Sequence, residues 1–203
     1  MIVISNPISV TNEINTIHSL FEEGMLLFHV RKPSFGDCEM KHFLLGINHH
    51  YRERLILHSH HHLAEELGIK RFHFSESERK AALMLQNRVT FDTYKSKGFL
   101  LSTSIHTIED FNTLDDHFDY AFFSPVFPSI SKENYASKTD LFEEIKKREN
   151  FRTQLVALGG MDSNTINQTL ENGFDRVAVL GIIWNRNNPI ENFKLCQRIV
   201  QSF

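Results

Sequence analysis

The sequence predicts an α/β fold, a (β/α)8 TIM barrel, and three observations carry that prediction. Short apolar runs alternate with amphipathic stretches along the whole chain. The runs are continuously apolar rather than alternating, as in a parallel sheet covered on both faces. Eight of them fit within 203 residues with no linker, low-complexity tract or Pro/Gly-rich boundary between them, which favours a compact closed barrel over an open doubly wound sheet. Residues 1–203 are therefore expected to form a single barrel domain.

In chain order the predicted strands are "IVIS" (2–5), "MLLFHVR" (25–31), "RLILH" (54–58), "RFHF" (71–74), "FLLSTS" (99–104), "YAFFS" (120–124), "QLVALGG" (154–160) and "RVAVLG" (176–181). Helical patterns fall at 11–22, 62–67, 164–172 and 190–201. Asp162 or Ser163 can cap the third of these, since a short polar side chain accepts a bond from a free first-turn N–H. In the last, Ile190, Phe193, Leu195, Ile199 and Val200 lie along one broad stripe.

Composition narrows the function classes. Hydrophobic content of 41% supports a real core, and a formal charge of −3 comes with no basic stretch. Nucleic-acid binding, which needs clustered Lys and Arg, is excluded as an expectation. The apolar start "MIVISNP" is too short for a signal peptide or a membrane span. Cys38 and Cys196 match no zinc or redox spacing, so reduced thiols in a cytoplasmic protein are expected.

In barrels of this type the chemistry sits at the C-terminal ends of the strands. After the seventh strand comes "ALGGM", with Gly159 and Gly160, and after the eighth "VLGII", with Gly181. Such paired loops bind phosphate through backbone N–H groups, and a side chain there would hold the anion away. The alternative is a simple tight turn. The longest connection on that side is "SPVFPSISKENYASKTD" (124–140). Its Ser129, Ser131 and Lys132 are two hydroxyls and an ammonium able to hold a diphosphate, or else part of a plain solvent-exposed loop.

"FDYAFFSPVFPSISK" resembles the "ADYIGxGPVFPTxTK" segment of thiamine-phosphate synthases and of their relatives, the TenI-type thiazole tautomerases. "LLFHVRKP", "HLAEELGIKRFHFSESE", "LLSTSIHTIEDF" and "VALGGMDSNT…GFDRVAVLGII" resemble further family segments in the family's order. The resemblance implies a transferase of thiamine biosynthesis. Such an enzyme joins hydroxymethylpyrimidine diphosphate to a thiazole phosphate and releases pyrophosphate, with Mg²⁺ and cationic side chains neutralising the departing diphosphate. Its partners would be those two small molecules, with no nucleic acid, no membrane and a possible homo-oligomer.

By position, the resemblance places Arg31 at the diphosphate, Ser104 at the pyrimidine, and Ser129, Ser131 and Lys132 in the loop after the sixth strand. Gly160 and Gly181 fall at the thiazole phosphate, where serine is usual at 181. His29 replaces a family Gln, and Pro33 replaces a second basic residue. Lys32 stands one position early, which on a strand means the opposite face. Where the synthases read "IND", with an Asn contact and a Mg²⁺-binding Asp, this chain reads "LHS", with His58 and Ser59. The other metal carboxylate falls at Glu78, with Glu76 nearby. Mg²⁺ prefers hard oxygen ligands, so His with Ser is a poor exchange for Asn with Asp.

Two alternatives stand beside the transferase. One is a metal-independent thiazole tautomerase; a histidine of that branch is Pro125 here, and His29, His58 or His106 would supply the imidazole. The other is a non-catalytic phosphate-ligand binder. Five of the twelve histidines lie within residues 55–74. His58 is read as a ligand contact at the barrel mouth or a hydrogen-bonded structural residue. His60, His61 and His62 are read as solvent-facing, with a shared transition metal on His58 and His60 as the alternative. His73 is read as positional, and His49 and His50 as closing a helix. Arg31 is an anion contact or half of a surface ion pair.

Overall fold

The structure, a computed structural model, describes residues 1–84, 88–128 and 141–203. Its strands are β1 (Ile2–Ile4), β2 (Leu27–Val30), β3 (Leu55–Leu57), β4 (Arg71–Phe74), β5 (Leu100–Ile105), β6 (Phe118–Phe123), β7 (Gln154–Leu158) and β8 (Arg176–Val179). They pair in parallel and in sequence order, and β8 returns to β1 to close the barrel. Helices surround it: α1 (Glu13–Glu22), α2 (Asp37–Gly46), α3 (Ala64–Leu67), α4 (Glu76–Met84), α5 (Arg88–Ser96), α6 (Ile108–Asn112), α7 (Leu141–Ile145), α8 (Ile166–Glu171), α9 (Gly181–Trp184) and α10 (Pro189–Val200). The eight predicted runs each contain one strand, trimmed or extended by a few residues.

Why the strands read as continuous apolar runs is visible in two separate cores. The outward residues, such as Val3, Phe28, Leu55, Phe72, Leu101, Phe123, Leu155 and Val177, belong to the large core beneath the helices. The inward residues Ile2, Ile4, Leu27, Ile56, Tyr120, Phe122, Val156 and Ala178 form a smaller core inside the barrel. Both faces of each strand are thus removed from water, as a helix-covered parallel sheet requires.

One irregularity shapes the barrel interior. Between β5 and β6 the register shifts, so that Leu101 faces Phe118 but Ser102 faces Tyr120 and Ser104 faces Phe122. A bulge of this kind re-aims side chains. Here it leaves Ser102, Ser104 and Tyr120 on the inner face and turns Asp119 outward, where its carboxylate accepts from Leu101 N–H at 2.7 Å and binds Lys95.

Several local expectations are corrected. The helix expected over 62–67 is a 3-10 turn (His61–Leu63) running into the single turn of α3, because His60 sits in the left-handed region at φ 56°. His49 and His50 open a 3-10 segment (His49–Arg54) rather than closing a helix, and Asn48 Oδ1 accepts from His50 N–H at 3.1 Å. Asp162 does accept from Asn164 and Thr165 N–H, at 2.8 and 3.2 Å, but in the turn preceding α8.

Candidate functional site

The C-terminal ends of the strands open onto a cavity of about 610 Å³. Arg31, His58, Ser59, Ser104, Gly159, Gly160 and Gly181 all line it, as do Glu78, His73, His106 and Ser124. Most residues singled out in the sequence therefore converge on one mouth. Ser129, Ser131 and Lys132 lie outside the described residues.

Arg31 follows β2. Its backbone is clamped by Ser5, whose Oγ accepts from Arg31 N–H at 2.8 Å and donates to Arg31 O at 3.1 Å. Its guanidinium makes no ion pair or hydrogen bond among the described residues, so the surface ion pair entertained for it is not found there. Lys32, one position on, turns its ammonium to the Glu13 carboxylate, at 2.6 Å, and to Ile8 O, at 3.0 Å, and is fully buried, while still contributing to the cavity lining.

At the floor, β2, β3 and β4 bring three imidazoles together. His29 Nδ1 lies 2.8 Å from His58 Nε2, and His29 Nε2 lies 2.7 Å from the Tyr120 hydroxyl. His73 Nδ1 is 2.9 Å from Ser102 Oγ, and its Nε2 is 3.0 Å from Ser104 Oγ. His58 and His73 stack at 4.2 Å between ring centroids. Burial holds all three imidazoles in the neutral form, with their mutual repulsion and nearby Arg71 or Arg31 acting in the same direction. His73 is driven down to about 3. Burial also raises the Tyr120 phenol well above its ordinary range, against a hydrogen bond from Ser102 that lowers it. His29 is fully buried and does not line the cavity; it reaches the mouth only through His58, which corrects its reading as a direct contact.

The remaining histidines of the cluster are structural. His61 stacks on Phe72 at 4.2 Å and binds Leu57 O at 3.1 Å through Nε2, which corrects its solvent-facing reading. His60 Nδ1 binds Ser59 Oγ at 2.8 Å, and His60 and His62 both approach Asp37. Among the described residues His60 belongs to no convergent group of three or more His, Cys, Asp or Glu donors.

The Mg²⁺ ligands implied by the resemblance do not assemble. Glu78 is the acidic member of a capping box at the start of α4: Ser75 N–H and Oγ–H both donate to Glu78 Oε2, at 2.7 and 2.6 Å, and Ser75 Oγ accepts from Glu78 N–H. Glu76 is paired with Lys80 and lies 3.6 Å from His106 Nε2. Among the described residues, the one convergent group of three or more His, Cys, Asp or Glu donors is His29, His58 and His73. Three nitrogens do not suit a hard oxygen-seeking cation.

Gly159, Gly160 and Gly181 all line the mouth, but the glycines after β7 answer to a closer neighbour. Gly159 (φ +100°) and Gly160 (φ +64°) are both left-handed. A Cβ on Gly159 would stand 2.9 Å from Pro125 Cα, and one on Gly160 2.6 Å from Phe127 Cβ and 2.7 Å from Pro128 O. Glycine is required here first by the loop after β6, which donates Val126 N–H to Leu158 O and Phe127 N–H to Gly159 O. The sequence pointed instead to ligand clearance.

Sequence reasoning treated His73 as positional and passed over Ser102 and Tyr120. The signal was available: all three stand on the inward register of β4, β5 and β6, where polar residues are out of place unless paired.

The family profile described as thiamine monophosphate synthase matches residues 1–183. A thiamine-phosphate synthase of Anoxybacillus flavithermus is 32% identical over 49% of this chain and 47% of its own length. One from Streptococcus suis is 26% identical over 72% and 62%, and one from Staphylococcus haemolyticus 26% over 82% and 79%. The chain thus spans about half to three-fifths of the first two relatives. Among solved structures, the thiamine phosphate pyrophosphorylase of Bacteroides thetaiotaomicron superposes with a TM-score of 0.72 at 24% identity, covering 99% and 97% of the two chains. That of Pyrococcus furiosus gives 0.76 at 15%, covering 99% and 95%. With a profile match over nine-tenths of its residues and an eight-stranded barrel of the same architecture, the chain belongs to the thiamine monophosphate synthase family.

Proposed function

We propose that the chain is a thiamine-biosynthesis enzyme that binds a thiazole phosphate at the barrel mouth and acts on it by metal-independent proton transfer. The phosphate would lie at the Gly159–Gly160 and Gly181 loops, and the ring over His58 and His73. The observation that carries this reading is the floor of the cavity. Where a coupling enzyme needs oxygen ligands for Mg²⁺, this chain presents neutral imidazoles, each able to accept a proton at one ring nitrogen while giving one from the other. A tautomerase needs that chemistry and no cation. The sequence put coupling first; the engagement of Glu76 and Glu78 in other bonds reverses the order.

Coupling of the thiazole phosphate to hydroxymethylpyrimidine diphosphate remains the second reading. It is favoured by Arg31, free to meet a diphosphate, and by the relatives named above. The test is a titration with thiazole phosphate and then two assays. Isomerisation of a thiazole carboxylate phosphate that persists in EDTA is the expected result. Mg²⁺-dependent formation of thiamine phosphate would establish the second reading. Binding without either reaction would leave a phosphate-ligand binder, and absence of binding would overturn every one of these.

A further inference from the structure

The polar residues inside the barrel lie in a continuous order. Starting from the cavity, His58 bonds His29 and His29 bonds Tyr120; Tyr120 stands in register beside Ser102; Ser102 bonds His73, and His73 bonds Ser104, which faces the cavity again. The register shift between β5 and β6 sets Ser102 opposite Tyr120 and so joins the two arms. Both ends are open. His58 Nδ1 has no hydrogen-bond partner among the described residues, and it is not among the buried atoms left without one. Ser104 likewise lines the mouth.

Every member of this series can donate one proton while accepting another. We propose that His58, His29, Tyr120, Ser102, His73 and Ser104 form a single proton relay with both ends in the same cavity, which removes a proton from one atom of a bound heteroaromatic phosphate and returns one to another. The choice of that ligand class rests on the function proposed above; the relay itself rests on four hydrogen bonds and on the register that sets Tyr120 beside Ser102. The ligand's proton passes to His58 Nδ1, and the His58 Nε2 proton passes to His29 Nδ1. The His29 Nε2 proton goes to Tyr120 and the Tyr120 proton to Ser102. Ser102 then protonates His73 Nδ1, the His73 Nε2 proton goes to Ser104, and Ser104 protonates the ligand. One ligand bond to hydrogen breaks and one forms, and all six side chains begin and end neutral. The next turnover runs in reverse or waits for exchange with water at the two open ends.

A transition-metal site on the same histidines fits less well. The facing nitrogens of His29 and His58 are already bonded to each other at 2.8 Å, and both nitrogens of His73 are held by serines. The His58 and His73 rings stack, with planes 30° apart, so their in-plane lone pairs run side by side rather than to one point.

The relay makes a prediction about tautomers that needs no substrate. An unbroken chain has only two senses, one with all three histidines protonated at Nε2 and one with all three protonated at Nδ1. Side-chain ¹H–¹⁵N correlation spectra of the purified protein at pH 7 should show His29, His58 and His73 neutral and of like tautomer. Unlike tautomers, an imidazolium, or one equivalent of bound zinc would overturn the relay. The second measurement is Tyr120→Phe, which removes the central hydroxyl without altering the cavity lining. Isomerisation should fall at least 10-fold in kcat with thiazole phosphate affinity unchanged within 2-fold, and a curved dependence of rate on solvent deuterium fraction should become linear. Wild-type kcat in this variant would overturn the relay. Like tautomers in a protein that binds no thiazole phosphate would instead sink the ligand assignment and leave the relay standing.

Discussion

Three buried imidazoles with no carboxylate bonded to them among the described residues cost stability whenever they must take up protons. His29, His58 and His73 are each neutral in the folded barrel because burial penalises the charged form. In the unfolded chain they titrate near the ordinary value of 6.5. Below that pH the unfolded state binds more protons than the native state, so the sign is fixed: stability is present above about pH 6.5 and is lost as pH falls toward 3. Each histidine contributes about 1.4 kcal/mol per pH unit across its window. Urea midpoints measured from pH 8 to pH 4 should be flat at first and then fall steeply from about pH 6.5, and His73→Asn should make that fall shallower. A chain whose stability is unchanged between pH 7 and pH 5 would contradict the neutral cluster. At this scale the sequence showed which residues were polar and near a strand end. It could not show that His29 and His58 touch, since twenty-nine positions separate them.

At the level of elements, the register of the strands decides which residues meet. The alternation of inner and outer faces was hidden in the sequence because both faces are apolar, and Lys32, beyond the end of β2, turns its ammonium into a buried ion pair. There the ammonium and the Glu13 carboxylate of α1 are both buried, at 0% and 5% side-chain exposure. Removing one partner strands the other, so Lys32→Met should destabilise the fold by roughly 3–5 kcal/mol. The double change Lys32→Met with Glu13→Leu should restore most of that loss; denaturant unfolding of the two variants distinguishes them. The capping chemistry at the start of α4 was not read from the sequence. "SESE" is a capping box, a purely local pattern, and its glutamate satisfies two donors of Ser75 instead of reaching for a cation. The turn after β7 gives a third test. Gly160→Ala places a methyl against Phe127 and Pro128 at a left-handed position, which should cost roughly 2–4 kcal/mol and lower Tm by roughly 5–15 °C.

Across the whole molecule, the barrel interior is divided. β1, β7 and β8 contribute Ile2, Ile4, Val156 and Ala178, while β2 to β6 set His29, His73, Ser102, Ser104 and Tyr120 among Leu27, Ile56 and Phe122. The architecture was legible because eight strand runs and their order are properties of local sequence. The division was not, because it depends on which residue of each run faces the axis. The mouth shows the same limit: Arg31, Ser104 and the glycines were found from their neighbours in sequence, whereas Tyr120 needed the inward register of β6 as well, which apolar residues on both faces obscure.

The contact of Gly159 and Gly160 with residues 125–128 has a consequence for how such a barrel can change over generations. The turns after β6 and β7 are pressed together so closely that neither can gain a side-chain atom at the joint without moving the other. They form a single inherited part, although more than thirty residues of chain divide them. A chimera that imports one of these turns from a relative with a bulkier partner turn will collide at this seam, and one that imports both together will fit. Substrate preference set by either turn must therefore be exchanged as a pair.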